Sequence, residues 1–97
     1  MKLDLKAKIC DISGKETEGA PTLGSVITQA LITLMPGDEN LDGTEKVRLF
    51  ALALAVNSNA DHDFSVEDVA LMKNRIGRGF GPVVVGRAWQ MLDPAVK

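Results

Sequence analysis

The sequence predicts a mostly helical α+β fold: an N-terminal β-strand or hairpin followed by three to four helices around one core. Three observations carry that prediction. Apolar and charged residues alternate along the first nine positions. Four later stretches carry apolar residues at helical spacing or in one continuous apolar run, and each is opened by a capping residue or proline. Finally, 97 residues with 45% apolar and 25% charged side chains are enough for one buried core and too apolar for a disordered chain.

In the first segment Leu3, Leu5, Ala7 and Ile9 fall on one side of an extended chain and Lys2, Asp4, Lys6 and Lys8 on the other, the pattern of a half-buried strand. Asp11-Ile12-Ser13-Gly14-Lys15 has turn residues, with Gly14 free to take positive φ, and Glu16 to Glu18 is the expected return strand. Thr22 is the expected N-cap of a helix from about Leu23 to Met35, with Val26, Ile27, Ala30, Leu31 and Leu34 on its inner stripe and Pro36-Gly37 as its stop.

After an acidic loop, Thr44 is the expected cap of a second helix. Its interior, Val47 through Val56, is apolar around most of its circumference, which predicts the central, most buried helix. Ser65 with Asp68 imitates a capping box for a third helix, Val66 to Gly77, with Val69, Met72 and Ile76 inward. Gly77, Gly79 and Gly81 are expected to break it. Pro82 then suits the first turn of a fourth helix carrying Val84, Val85, Ala88, Trp89 and Leu92, ended by Pro94; Val83 to Val85 also fits a strand. Without repeats or linkers, residues 1–97 read as a single domain.

Composition narrows the function classes. Eleven basic and thirteen acidic side chains give a net charge of −2, so no global field draws the chain to a polyanion or an anionic membrane. One cysteine, Cys10, cannot form an internal disulfide, and the start lacks the continuous apolar core of a signal peptide, so the expected compartment is the cytoplasm. The longest apolar run, Leu49 to Val56, is too short to span a bilayer.

Chemistry is sparse. Asn57, Asn59, Asp61, Asp63, Ser65 and Asp68 follow the ligand spacing of a calcium-binding loop, but His62 stands where the loop needs glycine and Asp68 where it needs a bidentate glutamate. The segment therefore reads as a polar connection. Gly77 to Gly81 and Gly81 to Ala88 lack both the preceding strand and the Lys-Ser/Thr pair of phosphate-binding loops. Cys10 and His62 are not brought together by any pattern, Asp61 and Asp63 read as solvated, and neither a cofactor, a metal nor catalysis is expected. The binding residues favoured by the sequence are Lys73, Arg75, Arg78, Phe80 and Arg87, a basic group with an aromatic beside a glycine turn.

Thr22-Leu23-Gly24, the run Glu45 to Ala53, the run Phe64 to Lys73 and Gly81-Pro82-Val83-Val84-Val85-Gly86, together with the alternating start, resemble a group of short proteins encoded in tailed-phage genomes and prophages. The resemblance covers most of the chain and implies a phage setting but no activity. In that setting the chain is expected to be a non-enzymatic protein-interaction factor, an assembly accessory or an inhibitor of a host protein, acting by self-association or on a protein partner. The alternative is a nucleic-acid-binding regulator using the basic C-terminal third.

Overall fold

The computed structural model describes residues 2–58 and 62–93. Four helices follow one another: α1, Leu23–Ile32; α2, Gly43–Ser58; α3, Val66–Gly79; and α4, Pro82–Leu92, with a single 3-10 turn at Asp38–Asn40 between the first two. α1 packs against α2, α3 and α4, and α4 packs chiefly on α3. The core therefore gathers around α1, where Leu23, Val26, Ile27, Ala30 and Leu31 are all buried, and it is closed by Phe64, Met72, Ile76, Ala88 and Leu92.

No strand forms among the described residues, which corrects the expected N-terminal strand or hairpin. The alternation is nevertheless realised: Leu3, Leu5 and Ile9 are buried while Lys2, Asp4, Lys6 and Lys8 are exposed. What differs is the backbone partner. A turn in which the Ala7 N–H donates to Asp4 O interrupts the extended chain, and the carbonyls of Leu5 and Ala7 then accept from Gly24 N–H and Leu23 N–H at 2.9 and 2.8 Å. The segment thus satisfies orphan donors in the first turn of α1 instead of pairing with a return strand. Only one isolated bridge, Lys8 with Thr22, remains of the ladder. The turn after it is held by the Asp11 carboxylate, whose Oδ1 accepts from Ser13 N–H, Ser13 Oγ and Lys15 N–H, with Gly14 at φ +86°.

Local signals placed the helix starts well. Thr22 caps α1 in a reciprocal box with Ser25, Ser65 does the same for α3 with Asp68, and Pro82 occupies the first turn of α4. Val83 to Val85 lie within that helix. For α2 the cap is Asp42, whose Oδ1 accepts from Glu45 N–H at 2.8 Å, two residues ahead of the expected Thr44. α1 ends at Ile32, short of Met35, and leaves Leu34 exposed; α3 continues through Gly77 to Gly79. Gly77 admits the neighbouring helix: a Cβ there would lie 3.1 Å from Cζ2 of Trp89. The stop expected at Pro94 lies outside the described residues.

The second correction concerns α2. Only Leu49, Leu52, Ala53 and Val56 are buried, so its apolar circumference is split between a core face and a solvent face. The central helix is α1.

Candidate functional site

The fold keeps four of the five residues favoured by the sequence around Arg78, which lines grooves with Lys73, with Arg75 and with Phe80, and turns Arg87 to the N-terminal turn. Arg75 is only 3% exposed. Its Nε donates to Ala30 O at 3.0 Å, Nη2 to Thr33 O at 2.8 Å, and Nη1 to Asp38 Oδ1 at 2.7 Å. The other Asp38 oxygen accepts from Met35 N–H at 2.7 Å. This cation closes the carbonyl end of α1, where a positive charge complements the helix dipole and unsatisfied carbonyls need donors. The Arg75 hydrogen bond, then that of Met35 N–H, hold the Asp38 carboxyl down at about 2 from an ordinary 3.8.

Arg78 lies one turn on, exposed at its tip, and donates to Pro36 O at 2.5 Å while standing 3.4 Å from Asp38 Oδ1. Phe80 is half-buried and packs against the core. Lys73 pairs with Asp93 at 3.3 Å and lies 4.9 Å over the Trp89 ring, whose Nε1–H donates to Lys73 O. Arg87 sits on α4 and clasps the N-terminal turn, donating to Asp11 O from Nε and Nη2 at 3.2 and 3.0 Å. Each of these cations is thus tied to a carbonyl or carboxylate of the chain itself, and where they neighbour one another, as Lys73 and Arg75 do with Arg78, their charged ends are already engaged.

The other sequence candidates are likewise engaged. Asn57 donates to Thr28 Oγ1 and Ala53 O, and Asp68 accepts from Ser65 N–H in its capping box. Asn59 and Asp61 of the calcium-like spacing lie outside the described residues. The exposed His62 ring packs at 53° to Phe64 with centroids 4.6 Å apart. Among the described residues no three His, Cys, Asp or Glu side chains are grouped to hold a metal, and no helix is long and apolar enough to cross a membrane.

A different feature emerges on the far side of α2. Val47, Phe50, Ala51 and Leu54 are exposed, at spacings of three, one and three, so they form one stripe along the helix. Phe50 is 59% exposed. Beside it, Ile32 and Leu34 emerge from the end of α1, the latter 77% exposed. Ile32, Leu34, Leu41, Leu49 and Phe50 line one groove of about 230 Å³ between the two elements. That volume is below the roughly 300 Å³ at which small-molecule sites begin. Ile12 and Val66 are also exposed, but singly, as scattered surface apolar residues commonly are.

Sequence reasoning missed this surface because it assigned all of α2 to the core. The signal was present: nine of the ten residues from Val47 to Val56 are apolar, more than one helical face can hold. Compared with known proteins, the chain matches no family model, no curated protein and no solved structure.

Proposed function

We propose that the chain is a non-enzymatic protein-interaction factor, and that its contact surface is the outer face of α2 with the end of α1. The setting we propose is a phage or prophage, with the protein in the host cytoplasm as an assembly accessory or an inhibitor of a host protein. The observation that carries the reading is the contiguous stripe Val47, Phe50, Ala51, Leu54 with Ile32 and Leu34 beside it. Water contact with so much grouped apolar surface is unfavourable by about 25 cal/mol per Å², and covering it with another folded chain recovers that energy.

The nucleic-acid reading has less support. It needs several cations free to meet phosphates, whereas Lys73, Arg75, Arg78 and Arg87 are held by Asp93, Asp38 and backbone carbonyls. A photo-cross-linking residue placed at Leu54, and a control at Gln90 on α4, test the proposal in the producing cell. A discrete adduct from position 54 and none from position 90 is expected. Equal yields at both positions, or none at either, would sink it.

A further inference from the structure

Resting on the interaction reading above, we propose that the occupant of the α2 face is a second copy of this chain. The two α2 helices lie antiparallel about a twofold axis between Phe50 and Ala51.

A twofold contact requires a self-complementary patch, in which residue i meets j and j meets i. The stripe meets that requirement. Val47, Phe50, Ala51 and Leu54 stand at equal offsets on either side of the Phe50–Ala51 midpoint, so an antiparallel copy sets Val47 opposite Leu54 and Phe50 opposite Ala51. The bulky ring then meets the one small residue of the stripe, and medium side chains fill the flanks.

Charge selects the same orientation. Glu45, Lys46 and Arg48 are the charged residues of α2 and all lie in its first half, while Asn57 and Ser58 at its end are neutral. A parallel copy would set Lys46 near Lys46 and align two helix dipoles side by side. An antiparallel copy opposes the dipoles and brings Lys46, which stands near the positive end of its own helix, beside the carbonyl end of the second one. The last turn of that second helix also comes within reach of Ile32 and Leu34.

Size is adequate for a reversible dimer. Val47, Phe50, Leu54, Ile32 and Leu34 are each more than half exposed. At about 100 Å² per side chain they present roughly 500 Å² of apolar surface, to which a polar rim adds, against about 800 Å² per partner in a standard interface.

Light scattering and sedimentation over a concentration series read the mass directly. The expected result is a dimer that dissociates on dilution, and a Phe50→Glu protein that stays monomeric while keeping its helical circular dichroism. Disulfide trapping in a Cys10→Ser background reads the orientation without depending on that variant. Ala51→Cys should link with itself at the axis, whereas Val47→Cys and Leu54→Cys should link efficiently only when mixed. Self-linking of Val47→Cys as readily as Ala51→Cys would make the pair parallel and overturn the proposal. A monomer at millimolar concentration would overturn it too; the interaction reading would then stand or fall on whether the position-54 adduct has the mass of the chain plus a different protein.

Discussion

Arg75 and Asp38 meet at 2.7 Å in the interior, 37 residues apart in the chain, and together they finish the end of α1. The guanidinium serves Ala30 O and Thr33 O, and the carboxylate serves Met35 N–H just beyond them. Breaking a buried pair is strongly destabilising, and Arg75→Met would leave Asp38 only the partly exposed Arg78 at 3.4 Å, so it should lower stability by about 3 kcal/mol, the low end for such a loss. Combining it with Asp38→Asn should recover part of that loss, since the neutral amide still accepts from Met35 N–H. Urea unfolding of the two single variants and the double variant measures the coupling; a double-variant loss equal to the sum of the two single losses would show that the pair is not coupled.

The same carboxylate predicts an acid response. Its folded pKa of about 2 lies below the ordinary 3.8, chiefly because Arg75 hydrogen-bonds to it. A depressed folded pKa means that the ionised form favours folding, so its contribution is present above about pH 4 and is lost as the pH falls through about 2. Thermal midpoints between pH 5 and pH 2 should therefore fall more steeply in the wild type than in Asp38→Asn. Parallel curves would assign the acid sensitivity to other carboxylates.

Arg87 has a structural role of its own to test. Arg87→Ala should release the exposed turn at Asp11 to Lys15 from α4, costing about 1–2 kcal/mol for hydrogen bonds given by a charged donor. Faster amide exchange at Ser13 and Lys15 is the local signature. Retention on duplex or single-stranded DNA at low salt should be absent in the wild type; retention that weakens steeply with salt and vanishes in Arg78→Ala and Arg87→Ala would restore the nucleic-acid reading.

Two glycines of α3 should respond differently to alanine. At Gly77 the added Cβ would sit 3.1 Å from the Trp89 ring, which is fixed by its bond to Lys73 O, so the helix-propensity gain is opposed by a rigid neighbour. At Gly79 the nearest atom is the terminal methyl of Met35, which can swing aside. Gly77→Ala should cost about 1 kcal/mol and Gly79→Ala should be within about 0.5 kcal/mol of neutral. Chemical denaturation compares them, and the reverse order would refute the account.

What could be read from the sequence was what is decided locally. Thr22 with Ser25, Ser65 with Asp68, and Pro82 fix helix starts through contacts within three residues, and Val69, Met72 and Ile76 turn inward because their own spacing dictates it. The alternation from Leu3 to Ile9 gave the right faces, yet whether its carbonyls meet a strand or a helix end depends on residues far along the chain. Arg75 looked like one of a basic group because Asp38, its counter-charge, belongs to a distant loop. In α2, apolar residues on both sides left no polar face to announce which one meets water, and Phe50 was therefore assigned to the interior.

Trp89 is the only tryptophan and the chain has no tyrosine, so its half-buried indole, bonded to Lys73 O and pressed on Gly77, dominates the near-ultraviolet emission of the molecule. A red shift in that emission reports separation of α4 from α3. The exposed stripe lies on α2, so docking there should leave the colour unchanged, and one spectrum can follow unfolding while anisotropy follows assembly.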